Sequence, residues 1–264
     1  MTRSPAFPHA KKSLGQHFLR NAAICERIAT LLQPTDQDRI LEIGPGPGPL
    51  TRALEALPHR TLLMIEKDRH WAAERQRMAA AGTQSALMDA LRLDWRRIQP
   101  DYPWKIIGNL PYNVASALIW DIVSQAAGLT RAVFMVQKEV GQRMAALPGS
   151  GEYGALSVWV QSFVAPRLEF VVKPAAFTPP PKVDSTVLAF DPLPLDTWPK
   201  RPGALARLLR VCFQQRRKQI GGIFRRAGLP EMLTALEAEG FSPFLRPESL
   251  SPADFRKLSL SLPL

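Results

Sequence analysis

From Arg39 the chain passes through the apolar run Ile40-Leu41-Glu42-Ile43 into the alternating loop Gly44-Pro45-Gly46-Pro47-Gly48-Pro49, and then into a helical pattern over Leu50 to Leu57. A buried strand, a glycine loop and a helix in that order make the opening unit of a doubly wound α/β sheet. Glycines let the main chain approach a ligand closely, and a helix start offers N–H groups that the helix itself leaves unpaired. The spacing is G-x-G-x-G, which departs from the dinucleotide fingerprint G-x-G-x-x-G. Taken alone, the loop fits a nucleoside ligand or a plain turn.

Six more strand-like runs follow: Thr61 to Ile65, Gln84 to Met88, Trp104 to Gly108, Ala132 to Gln137, Leu168 to Val172 and Thr186 to Phe190. Helical patterns lie between most of them, so the expected fold is a mostly parallel seven-stranded sheet covered by helices. Glu66 ends the second strand 22 residues after Gly44. An acid at that tip reaches ribose hydroxyls in a doubly wound sheet, although next to Lys67 and Asp68 it also reads as a solvated carboxylate. Asp89 ends the third strand, where it can accept from an adenine amino group or cap the next turn. Ligands of open parallel sheets bind outside the carboxyl ends of the strands, so Gly44, Glu66, Asp89 and Asn109 are expected to converge on one crevice.

The fourth strand runs into Asn109-Leu110-Pro111-Tyr112. The Asn109 side-chain oxygen and the Leu110 carbonyl can each accept one hydrogen of a planar exocyclic amine. Pro111 fixes the direction of the backbone, and Tyr112 offers a flat face to a ring. The same four residues also read as a strand end closed by a turn with a core tyrosine.

Composition narrows the partner. The 264 residues carry a formal net charge of +11 with 46% hydrophobic content, which makes a globular chain with a polyanionic partner. No apolar run reaches the roughly 18 residues of a membrane span. Residues 1 to 20 form a basic arm with Arg3, Lys11, Lys12 and Arg20 and no acid, and they lack the apolar core of a secretion signal, so the expected location is the cytoplasm. Cys25 and Cys212 sit far apart in helical apolar patterns and are expected to be buried thiols, and no metal site is expected. Lys138 and Glu139 are adjacent on a helix and so read as a solvated face rather than a catalytic pair. Gly149-Ser150-Gly151 reads as a mobile linker.

A proline-rich stretch from Asp191 to Pro202 marks a boundary, after which only helical patterns occur. The expected division is a domain over 1–195, including the arm, and a small all-helical domain over 196–264. Between Arg207 and Arg226 stand seven basic residues, Arg207, Arg210, Arg216, Arg217, Lys218, Arg225 and Arg226, with no acid among them. One-sided charge of this density is the footprint of phosphate binding to RNA.

With these residues in place, Leu41-Glu42-Ile43-Gly44-Pro45-Gly46, Ile65-Glu66, Met88-Asp89-Ala90 and Asn109-Leu110-Pro111-Tyr112 together resemble an S-adenosylmethionine-dependent RNA adenine N6-methyltransferase. Gly15-Gln16-His17-Phe18-Leu19, Phe134 to Val140 and Phe177 to Ser185 narrow the resemblance to the small-subunit ribosomal RNA adenine dimethyltransferase family, from about Lys11 to the end of the chain. The resemblance implies a Rossmann-like methyltransferase domain and S-adenosylmethionine held by His17, Leu19, Gly44, Glu66, Asp89 and Asn109. It implies catalysis around Asn109, Leu110, Pro111 and Tyr112, with Phe177 as the other wall of the base pocket. His17 departs from the family, whose best-known members carry Asn there. The implied reaction is dimethylation of two adjacent adenosines in the 3'-terminal hairpin loop of small-subunit rRNA, within the small subunit or its precursor, by a monomer. Rival readings are a large-subunit methyltransferase of the antibiotic-resistance type, a small-subunit assembly factor and, on the glycine loop alone, a nicotinamide dehydrogenase.

Overall fold

The computed structural model describes residues 15–215 and 218–263. The chain forms two compact units. One runs to Gly141 and resumes over Arg167–Asp191, and the other takes Gln142–Pro166 and everything from Pro192 onward.

The first unit opens with the short strand β1 (Phe18–Leu19) and helix α1 (Ala22–Leu31), whose start is capped by the Asn21 side chain accepting from the Ile24 N–H. Next come β2 (Arg39–Ile43), α2 (Pro49–Glu55), β3 (Thr61–Glu66), α3 (Arg69–Met78), β4 (Thr83–Leu87), β5 (Trp104–Asn109), α4 (Ala115–Gln125), β6 (Leu129–Gln137) and α5 (Lys138–Met144). The strands β7 (Val164–Val172), β8 (Phe177–Thr178) and β9 (Ser185–Pro192) come later in the chain. The main sheet has the order β4-β3-β2-β5-β6-β9-β7, and β1 pairs with β8 in a separate two-stranded ladder. From β2 to β6 the neighbours are parallel, and β9 then pairs antiparallel with β6.

This order positions the site. The chain winds from β2 outward to β4 and then returns to lay β5 on the other side of β2, so the direction of winding reverses between β2 and β5. A crevice opens at such a switch point. The two strands come close there, because a Cβ on Gly108 would lie 2.8 Å from the Ile43 carbonyl oxygen. Burial on both faces explains the nearly unbroken apolar runs of the central strands. Ile40, Leu54, Leu62, Ile107 and Val133 are fully buried in one cluster that also takes Cys25, Ile28 and Leu32 from α1 and its C-terminal end. Fully burying each such side chain is worth about 1.5–3 kcal/mol.

The second unit is helical. It contains α6 (Ala155–Gln161), α7 (Pro202–Phe213), α8 (Ile220–Arg226), α9 (Glu231–Ala238) and α10 (Pro252–Leu258). Its extent differs from the expected 196–264, because Gln142–Pro166 belongs to it as well. The physical reason is α6, where five consecutive residues from Leu156 to Val160 are buried. Trp159, Phe163 and Trp198 pack in series, and Tyr153 packs edge-on to Phe213 while its hydroxyl donates to the Leu250 carbonyl at 2.8 Å. The expected mobile linker at Gly149-Ser150-Gly151 is instead a bonded turn: the Gly149 N–H donates to the Glu248 carbonyl and the Ser150 hydroxyl to that of Leu147. Both cysteines are buried and free, and burial pushes the Cys25 thiol up to about 11 and that of Cys212 to about 12. Among the described residues no helix is long and apolar enough to cross a membrane.

Candidate functional site

The hollow at the switch point is lined from four strand tips and from the segment before β1. His17, Gly44, Glu66, Asp89, Asn109, Leu110, Pro111 and Tyr112 all border it. Eight of the residues singled out in the sequence, spread over nearly a hundred positions, therefore meet in one place.

The glycine loop is held from three sides. Gly44, Gly46 and Gly48 all have positive φ, between 51° and 82°, a region that glycine enters without the Cβ penalty. At Gly46 a Cβ would lie 2.9 Å from the Phe18 ring, which itself rests edge-on against Trp71. At Gly48 it would collide with the Arg75 guanidinium. The two later glycines are thus closed off by side chains of β1 and α3 as well as by their positive φ. Gly44 is different: a Cβ there meets nothing within 4 Å, so its main chain faces open space.

Glu66 ties this loop to β3. Its Oε2 accepts from the Gly46 N–H at 3.0 Å, and its Oε1 accepts from that of Asp68 at 2.8 Å. Burial raises its pKa, partly opposed by those two N–H donors. Each carboxylate oxygen keeps a lone pair beyond the one already engaged. Asp89 sits at the rim. Its Oδ1 accepts from the Leu91 N–H, and its Oδ2 pairs with the Lys67 ammonium at 2.9 Å, which holds its carboxyl below the usual range. It therefore caps the short turn over Ala90–Arg92 and borders the hollow at once.

At the tip of β5 the Asn109 Nδ2 donates to the His17 carbonyl at 2.9 Å. That bond turns the amide so that Oδ1 is left without a partner among the described residues, and the Leu110 carbonyl is likewise unengaged while its N–H donates to Met135. Tyr112 is half-buried, with its hydroxyl 2.5 Å from the Ser185 Oγ and its ring stacked on the His17 imidazole at 5.6 Å and 25°. Burial raises the tyrosine pKa. His17 is anchored in turn, its Nδ1 lying 2.8 Å from the Pro179 carbonyl oxygen.

Two expected site residues are elsewhere. Leu19 and Phe177 are register partners in the β1–β8 ladder, and both side chains are buried in the core cluster beside Cys25, Ile28 and Val187. Register partners share a face of a ladder, so when one enters the core the other follows. Phe177 therefore fastens the segment carrying His17, and its side chain is not among those that line the hollow. Conversely, Phe18, Lys67, Arg75 and Ser185 support the site without having been singled out. Only Phe18 left a signal, since alternation along a strand puts it on the opposite face from Leu19.

In the second unit Arg207, Arg210, Lys218, Arg225 and Arg226 are exposed, and none of the five is ion-paired among the described residues. Arg207 donates to the Pro263 carbonyl and Arg226 to the Gln215 side chain. Arg216 and Arg217, like the arm residues Arg3, Lys11 and Lys12, lie outside the described residues.

The geometry agrees with comparison to known proteins. The family model described as ribosomal RNA adenine dimethylase matches residues 8–261. The chain belongs to the ribosomal RNA adenine dimethylase family. It is 53% identical to ribosomal RNA small subunit methyltransferase A of Nitratidesulfovibrio vulgaris over 94% of each chain. To the protein of the same name from Rhodospirillum rubrum it is 40% identical, over 95% of this chain and 87% of the other. A dimethyladenosine transferase from Plasmodium falciparum superposes with a TM-score of 0.77 at 26% identity, covering 92% of this chain and 96% of that one. The 23S rRNA methyltransferase ErmE shares the fold, with a TM-score of 0.67 at 23% identity over 93% of this chain and 99% of that one. As a member of the family, the chain is an S-adenosylmethionine-dependent rRNA adenine dimethyltransferase with a Rossmann-like methyltransferase fold. Relatives named for the small subunit set its type, and the ErmE likeness reaches only the fold.

Proposed function

We propose that the hollow holds S-adenosylmethionine against Gly44, Glu66 and Asp89 and receives a target adenine at Asn109-Leu110-Pro111-Tyr112. The observation that carries this reading is the pair of acceptors at the tip of one strand, the Asn109 Oδ1 and the Leu110 carbonyl, that are unengaged among the described residues. The residues fit the cofactor on their own geometry: the backbone of Gly44 opens onto space, and a buried carboxylate with spare lone pairs stands at the ribose position.

Bound S-adenosylmethionine supplies an electrophilic methyl group. The chain's part is to make adenine N6 a nucleophile, because its lone pair is delocalised into the ring. The Asn109 oxygen and the Leu110 carbonyl each accept one amine hydrogen and draw it from the ring plane, so the lone pair is redirected. Placement of this kind contributes up to roughly 7–11 kcal/mol in oriented reactions. Tyr112 stacks on a base taken out of its RNA stack, a contact worth about 1–3 kcal/mol, and Ser185 fixes the angle of its ring. As N6 gains the methyl it loses one proton to solvent, and the remaining N–H lets the monomethylated base enter again. The exposed basic residues of the second unit, with Arg216 and Arg217, contact rRNA phosphates. The substrate is two adjacent adenosines in the 3'-terminal hairpin loop of small-subunit rRNA, within the small subunit or its precursor, and the chain acts as a monomer in the cytoplasm.

Labelled methyl transfer to purified subunits lacking this modification, followed by nucleoside analysis, tests the proposal. N6,N6-dimethyladenosine in small-subunit rRNA is the expected product. Label entering only large subunits would assign the antibiotic-resistance type instead, and tight binding without transfer would leave an assembly factor.

A further inference from the structure

The loop between α9 and the turn before α10 presents an aromatic ring to solvent. Phe244 is 72% exposed, although burying a phenylalanine is normally favourable. The backbone that carries it is fixed. The Ile220 N–H donates to the Leu245 carbonyl at 2.8 Å, that of Gly221 to Pro243 at 2.9 Å, and that of Leu245 to Ser242 at 3.1 Å. The Phe244 N–H itself donates to the Ser242 Oγ at 3.3 Å. A Cβ on Gly221 would lie 2.7 Å from that of Pro243, so this loop is seated against the start of α8 as closely as a glycine permits. The ring is held out from a rigid support.

Basic residues stand close to it in the chain, within a loop bordered by Glu239 and Glu248. The stretch from residue 240 to 247 contains no acid and carries the exposed Arg246, and the exposed Lys218 stands two residues before Ile220, the residue bonded to Leu245. An exposed aromatic ring with an arginine two residues on and a lysine on the segment bonded to its loop matches a nucleobase with its phosphates better than it matches an apolar protein surface.

We propose that Phe244 is a stacking platform for an unpaired base of ribosomal RNA, with Lys218 and Arg246 contacting the adjoining phosphates. This rests on the reading of the second unit as RNA-binding. Stacking is sequence-tolerant and largely insensitive to salt, whereas phosphate contacts are neither sequence-reading nor salt-insensitive.

The test is filter binding of the full chain, as wild type, Phe244→Ala and Phe244→Trp, to unmodified small subunits and to deproteinised small-subunit rRNA over a range of salt. Phe244→Ala is expected to weaken binding to both by roughly 5- to 100-fold at an unchanged salt slope, with Phe244→Trp restoring it. Wild-type affinity in Phe244→Ala overturns the proposal. Weakened binding to subunits with unchanged binding to the naked rRNA also overturns it, by assigning the ring to a ribosomal protein. The broader reading is tested apart from this one: charge reversal at Arg207, Arg210 and Arg225, none of them assigned to the stacked base, changes the salt slope, which the aromatic substitution leaves alone.

Discussion

At the strand tips of the first unit the polar groups are fixed by neighbours, several of them buried, whereas Arg207, Arg210, Lys218, Arg225 and Arg226 of the second unit are exposed and have no acid paired to them among the described residues. On the proposed function, the contrast separates two ways of recognising parts of one substrate complex. A cofactor and a single base must be placed to within fractions of an ångström, so their contacts are braced from below. A phosphate backbone is long and repetitive, so charge without bracing suffices, and each residue contributes a modest, salt-dependent share. Substitutions in the first unit should therefore act steeply and locally, and those in the second gradually and together.

Among effects on cofactor and RNA binding, the steepest is expected at Gly48, where the backbone is left-handed and a side chain would collide with Arg75. Gly48→Ala should raise the cofactor Kd on the order of 100-fold by calorimetry, since the backbone alone costs about 1–2 kcal/mol and the guanidinium must also move. Partial recovery in Gly48→Ala/Arg75→Ala would sharpen the idea of bracing, and an unaffected Kd in the single variant would break it. Reversing Arg216, Arg217 and Lys218 to Glu comes next. Subunit binding should weaken about tenfold or more at fixed salt, and the log–log salt slope should fall by about 2, at roughly 0.7 per lost contact to single-stranded RNA. An unchanged slope would place the RNA surface elsewhere.

A third effect concerns stability. Glu42 is fully buried beneath the loop and accepts from the Thr51 hydroxyl at 2.7 Å, and burial pushes its carboxyl from 4.5 up to about 8. A carboxyl raised on folding stabilises while protonated. That contribution is complete below pH 4.5 and is lost as pH rises through about 8. Glu42→Gln should flatten the fall in Tm between pH 6 and 9, and parallel curves for both proteins would remove Glu42 as the cause. The smallest effect is at Lys67, which holds the Asp89 carboxyl low. Lys67→Met should move the acid limb of the cofactor-binding profile to higher pH, with little change at neutral pH. An unmoved limb would separate Asp89 from cofactor binding.

Much of the first unit was legible because its function lies in backbone constraints that only certain residues meet. Gly44, Glu66, Asp89 and Asn109 each mark the end of an apolar run, and a sheet that switches winding direction brings such ends together. What stayed hidden was long-range packing. Nothing near Arg75 in sequence shows that it sits beneath Gly48, and nothing near Phe177 shows that pairing with Leu19 turns it into the core. The share of the second unit that precedes β7 is hidden for the same reason: α6 reads as one more helix of an α/β fold until its aromatic partners Phe163 and Trp198 are known. The bonded turn at Gly149 was hidden too, since glycine signals a bend but not what the bend is fastened to.

The central claim is that His17 aims the Asn109 oxygen at an incoming amine while Gly44, Glu66 and Asp89 hold the methyl donor. Single-turnover methyl transfer by Asn109→Ala to unmodified small subunits, with the cofactor Kd measured on the same protein, tests it most directly. The account predicts that transfer falls on the order of 100- to 1000-fold while the Kd changes at most a few-fold. Transfer at the wild-type rate would contradict it.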